Sequence, residues 1–155
     1  MAVVSGPLPY PVRFKHVGKV VQLPPATDEQ LARLETRFGP LPRDYRRFLA
    51  TVNGGVPVPG FLDHRRYSFE VECFNGLGAP YDAYSVEARS QWLGERLGRQ
   101  VVAIAGNGAG DQLILHAPGD PAIYLWIHDE EVELVRMASS FTELLTVLVP
   151  GPKDT

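Results

Sequence analysis

The residues that could do chemistry in this chain begin with its glycines. The stretch "AGNGAGDQLIL" places Gly106, Gly108 and Gly110 just ahead of Asp111. Such a run could cradle a phosphate, because glycine lets backbone amides approach an anion closely. The spacing argues against it. A dinucleotide fingerprint needs G-x-G-x-x-G opening a helix, and here the glycines run G-x-G-x-G. A phosphate-binding P-loop needs Lys-Ser or Lys-Thr after its glycines, and neither is present. The next residues are "DQLILHA", whose apolar run reads as a strand. The glycines are therefore expected to turn the chain between two strands, by supplying positive φ angles.

Other chemistry-bearing residues are scattered. Cys73 is the only cysteine, which excludes an internal disulfide and fits a reduced, cytoplasmic setting. Its place in a strand-like run points to packing. Among the four histidines, His116 and His128 fall on neighbouring strand candidates. If "PGDP" at 118–121 turns a hairpin, Ala117 faces Ala122, His116 faces Ile123 and His128 faces Asp111. The two histidines are then too far apart along the strands to share a metal. Asp129, Glu130, Glu131 and Glu133 form an acidic run that suits solvent or a charged partner better than acid–base catalysis. No nucleophile elbow, zinc-protease motif or Cys/His cluster is present. No catalytic, cofactor-binding or metal-ligating residue is assigned, and no cofactor is expected.

The elements that would hold these residues can be read from periodicity. "TDEQ" is a capping box on Thr27 and Gln30, opening a helix that buries Leu31, Leu34 and Phe38 and stops at Gly39. In "LPRDYRRFLATVNGG", Pro42 suits a first helical turn. Tyr45, Phe48, Leu49 and Val52 make one apolar stripe, with Arg43, Arg46 and Arg47 on a solvated face. Asn53-Gly54-Gly55 supplies left-handed conformations that end it. "YSFEVECF" alternates as one strand. A looser helix lies within 80–98, with Val86, Leu93 and Leu97 on one face. "VVAIA", "DQLILHA", "AIYLWIH" and "VELVRMA" read as strands. A last helix is capped by Ser140 with Glu143 and carries Phe141, Leu144, Leu145 and Leu148; Trp126 is expected to pack against it. Residues 1–26 form a Pro-rich extended arm with a strand through "KVVQL", 27–149 the domain, and 150–155 a tail. Helices, then strands, then a helix predict an α+β fold with a mainly antiparallel central sheet.

Composition and charge limit the function further. At 155 residues the chain can bury one good core. No apolar run approaches the roughly 20 residues of a membrane span, and the first residues lack the pattern of a secretory signal. Residues 1–66 hold ten Lys and Arg against five Asp and Glu, and residues 67–155 hold five against thirteen. The basic residues do not cluster as nucleic-acid binding requires.

Four stretches occur in an order that resembles the SUKH superfamily, which includes a yeast cell-wall synthesis regulator and many bacterial proteins. They are "LPRDYRRFLATVNGG", "VVAIAGNGAGDQLIL", "IYLWIHDEE" and "ASSFTELL". The residues carrying the resemblance are Leu41, Pro42, Tyr45, Phe48, Leu49, Asn53, Gly54, Gly55, Gly108, Gly110, Asp111, Trp126, Ser140 and Phe141. Ser139 and Ile127 depart from the pattern. The resemblance spans about Thr27 to Leu148. It implies a single non-enzymatic α+β domain, and in bacteria an immunity protein that binds a cognate toxin of nuclease or deaminase class. A regulatory or scaffold module and a small-molecule-binding protein are the alternatives. The expected partner is a protein toxin, basic where it docks, with no direct nucleic-acid or membrane contact. Asp129, Glu130, Glu131 and Glu133 are the candidate contacts, and the loop with Tyr81 and Tyr84 is the second choice, since exposed Tyr suits interface anchoring.

Overall fold

The computed structural model describes residues 10–130 and 133–152. In chain order the elements are β1 (Arg13–Lys15), α1 (Asp28–Phe38), α2 (Arg43–Thr51), β2 (Val56–Val58), β3 (Phe61–Leu62), β4 (Phe69–Glu70), β5 (Cys73–Phe74), α3 (Val86–Leu97), β6 (Val102–Gly106), β7 (Gln112–Leu115), β8 (Ile123–Trp126), β9 (Val135–Ala138), α4 (Phe141–Val147) and β10 (Leu148–Val149). Five strands form an antiparallel sheet in the order β5-β6-β7-β8-β9. A second sheet is β10-β3-β4, and β1 pairs with β2. The α+β expectation, with a mainly antiparallel sheet, is met.

Local chemistry explains most element ends. The Thr27 hydroxyl accepts from the Gln30 amide at 3.1 Å, and the Gln30 carboxamide accepts from the Thr27 amide at 2.9 Å. Two of the free amides at the start of α1 are thereby satisfied. Pro42 caps α2 with extended backbone, one position before the helical turn predicted for it. The box expected at α4 is only half formed. Ser140 Oγ accepts from the Glu143 amide at 3.0 Å, but the Glu143 carboxylate turns to the Ser139 amide and hydroxyl, at 3.0 and 2.6 Å. Leu148 lies beyond the helix, buried in β10.

Two strand expectations change, and both through which sheet edges are open to pairing. "KVVQL" is not a strand; Val20 instead bonds back to the Val17 carbonyl at 2.9 Å. The edge of β2 is taken by Arg13–Lys15. "YSFEVECF" is split into β4 and β5 because its two halves pair in different sheets. Between them, the Val71 amide donates to Gly60 and the Glu72 amide to Gly106.

The inner face of the large sheet packs on α1, α2 and α4, with an aromatic centre between them. The Phe48 ring is 4.9 Å from Phe141, 5.1 Å from Phe14 and 5.7 Å from Phe74. The outer face carries α3 and a smaller cluster built on Leu93, Val101 and Ile114. Trp126 belongs to that outer cluster, not to the α4 stripe. Side chains alternate along a strand: Ile123 and Leu125 of β8 point into the main core, so Tyr124 and Trp126 must point out.

Candidate functional site

The glycine run connects β6 to β7, with Gly108 at φ 81° and Gly110 at φ 107°. Asn107 builds the turn, its side-chain oxygen accepting from the Ala109 and Asp111 amides at 2.9 and 3.1 Å. The loop leads into a strand, β7, and not into a helix whose first amides could hold a phosphate. A side chain at Gly108 would meet the Glu72 carboxylate. ATP and NAD should therefore give no saturable heat at millimolar concentration in calorimetry. A signal that disappears in Gly108→Val would show that the loop does bind nucleotide.

Asp111 ties this turn to the end of β8. Its Oδ1 accepts from the His128 amide at 3.0 Å and faces His128 Nδ1 at 2.7 Å, while Oδ2 accepts from Asn107 at 2.9 Å. Burial alone would raise the Asp111 carboxyl, but the hydrogen bonds from His128 and Asn107 hold it below its ordinary value. The hydrogen bond to Asp111 raises the His128 imidazole above its own. The ladder between β7 and β8 lies one residue from the register expected: Gln112 faces Trp126 and Ile114 faces Tyr124. The Asp120 carboxylate takes the Ala122 amide at 3.0 Å, which keeps Ala122 from pairing with Ala117. His116 pairs separately with Asp120, at 2.8 Å. Among the described residues, no group of three or more His, Cys, Asp or Glu is placed to hold a metal.

Beyond His128 the acidic run enters a turn. Asp129, Glu130 and Glu133 are exposed, and Glu131 lies outside the described residues. The three exposed acids line an open groove of about 850 Å³. Arg96 and Arg99, from α3 and its end, line it too, together with Tyr124 and Trp126 of β8. Trp126 meets Trp92 edge to face at 5.8 Å, and the Arg89 and Arg96 guanidinium groups lie over Trp92 at 4.7 and 4.6 Å. The strand "IYLWI" was legible, but its outward aromatic face was not, because Trp126 was expected against α4. Nor was the Trp92 pairing, since 34 positions separate the two residues.

The second docking candidate lies close by. Tyr84 ends a short 3-10 turn, and its hydroxyl hydrogen-bonds the Glu72 carboxylate. Tyr84, Glu72, Arg89, Gly108 and Asp111 share a polar pocket of about 190 Å³. Asp111 thus borders this pocket on one side and reaches the groove through His128 on the other. Tyr81 is 44% exposed and faces Lys19, whose ammonium stands 5.6 Å from the ring. Cys73 also lines this pocket but is 3% exposed, and burial pushes its thiol up to about 12, far from a reactive thiolate.

The remaining singled-out residues are positioned by packing and caps. Leu41, Tyr45, Phe48, Leu49 and Phe141 are buried in the main core. Asn53 is buried at φ 60°, and Gly54 and Gly55 also have positive φ. Of the α2 arginines, Arg46 pairs with Glu35 at 3.1 Å, and Arg43 and Arg47 are exposed. No helix among the described residues is long and apolar enough to cross a membrane.

The chain matches the model of the SMI1 / KNR4 family (SUKH-1) over residues 25–146. No curated protein matches it.

Proposed function

This chain belongs to the SMI1 / KNR4 family (SUKH-1), and from that premise we propose that it is an immunity protein that neutralises a cognate bacterial toxin by binding it directly. The family supports a binding domain, of immunity or regulatory type, over an enzyme. The observation that carries the finer reading is the groove, which exposed acids line together with Tyr124 and Trp126. Aromatic residues supply contact area at low entropic cost, and rim charges steer a partner of opposite sign. The toxin surface that docks here is basic, and Glu131 joins the contact as its neighbours do. The chain acts from the cytoplasm, where a nuclease or deaminase would meet its substrate.

The test is co-expression with the toxin of the adjacent gene. Wild type should rescue the cells, and the double reversal Glu130→Lys with Glu131→Lys should rescue less. With purified proteins the reversal should weaken binding by about tenfold, mainly through a slower on-rate, and flatten its salt dependence. Absence of binding at micromolar concentration would end the immunity reading for that partner. Tight binding indifferent to the reversal would move the interface elsewhere, first to Tyr81 and Tyr84.

A further inference from the structure

We propose that Asp111 and His128 form a latch that holds the start of the acidic segment, Asp129 and Glu130, against the glycine turn, and that protonation of His128 sets how firmly it holds. The inference rests on the reading that this segment docks the partner.

Antiparallel pairing brings the start of β7 and the end of β8 to the same end of the sheet. One carboxylate there serves both strands. Asp111 Oδ1 receives the amide and faces the ring of His128, and Oδ2 receives Asn107, which in turn closes the glycine turn on itself. Gly110 lies against the imidazole: a Cβ there would stand 3.2 Å from His128 Cγ, at a φ that disfavours any side chain. The glycine therefore admits the ring, and the aspartate binds it. Past His128, the backbone hydrogen bond of this turn among the described residues is the long one from Glu130 to Ile127, at 3.4 Å. The direction in which Asp129 and Glu130 leave the sheet thus depends on His128.

The charged groups around His128 set its pH response. Asp111, just ahead of β7, and Asp129 on its own loop favour the imidazolium. Glu130 and Glu133 line the same groove with the same sign. Arg96 and Arg99 from the α3 side, and His116 just past β7 when protonated, line it with the opposite sign. The balance leaves His128 raised and Asp111 lowered. An imidazole raised on folding contributes while protonated, and its contribution fades as pH rises through the raised value. A carboxyl lowered on folding contributes above its ordinary range and fades as pH falls through the lowered value. The latch is tightest between the two, from mildly acid to near-neutral pH, and slackens on the alkaline side.

The experiment is NMR on the full isotope-labelled chain, following the His128 ring titration and the backbone order parameters of Asp129 and Glu130. In wild type, His128 should titrate above its ordinary value of about 6.5. The order parameters should be about 0.85 at pH 6 and fall as His128 deprotonates. In Asp111→Asn, the His128 midpoint should drop, and the order parameters should fall below about 0.6 already at pH 6. Equal order parameters in the two proteins, or values flat across the wild-type titration, would overturn the latch. Should Asp111→Asn lose its fold, His128→Gln decides in its place. It leaves Asp111 and Asn107 intact, and rigid Asp129 and Glu130 amides in that variant would equally overturn it. No partner is present in these measurements. A latch that responds as expected, beside toxin binding indifferent to reversal of Glu130 and Glu131, would therefore refute the docking reading alone.

Discussion

Asn53→Ala should destabilise the protein by about 3–5 kcal/mol, seen as a fall in the denaturant midpoint at unchanged slope. Asn53 is 2% exposed. Its amide nitrogen donates to the carbonyls of Pro24 at 3.0 Å and Leu77 at 2.9 Å, and its side-chain oxygen accepts from the Leu77 amide at 2.8 Å. One side chain thus joins the end of α2 to two distant segments. Removal leaves three backbone groups unpaired in or near the interior, each costing about 1–3 kcal/mol less any recovered solvation. The backbone adds a smaller effect, because Asn53 sits at φ 60°, where alanine is strained by roughly 1–2 kcal/mol. Asn53→Gly keeps the first loss and relieves the second. It should be more stable than Asn53→Ala by about 1 kcal/mol. A loss below about 1 kcal/mol in both variants would show that these bonds are replaced by solvent.

Phe48→Ala should cost a similar amount, about 3–5 kcal/mol, through a cavity at the centre of the main core. Phe48 has no solvent exposure and touches rings from its own helix and three other parts of the chain: Tyr45 in α2, Phe14 and Tyr10 near the start, Phe74 in β5 and Phe141 in α4. Phe48→Leu fills much of that volume and should recover a large part of the loss. Urea melts of the three proteins provide the comparison. An alanine variant within about 1 kcal/mol of wild type would mean that the surrounding rings collapse into the space.

The two sites differ in how far they could be read from residues alone. Phe48 is announced by its stripe with Tyr45 and Leu49, because a 3.6-residue period brings those positions to one face. Asn53 reads from sequence as a helix stop. That is correct for its backbone but silent on its side chain, whose partners lie 29 and 24 positions away. The acidic segment behaves in the same way. Its exposure at a strand end was legible, whereas the groove it borders was not. Part of its lining comes from α3 and its C-terminal end, and no local pattern relates Arg96 to Glu130.

What the amino-acid order determined by itself is local. It determined the helices from capping and apolar spacing, the turn at Gly108 and Gly110 from the need for positive φ, and the antiparallel α+β class from the succession of elements. The tertiary structure decided which edge each short strand joins. It therefore decided that "YSFEVECF" divides between two sheets and that "KVVQL" stays outside any. It also decided that Trp126 faces Trp92 across the outer surface and not α4. The physical reason is range. Helix capping and turn chemistry are satisfied within a few residues, so their signals are local. A strand has no stability without a neighbour, and its neighbour is chosen by competition among all free edges once the core has formed.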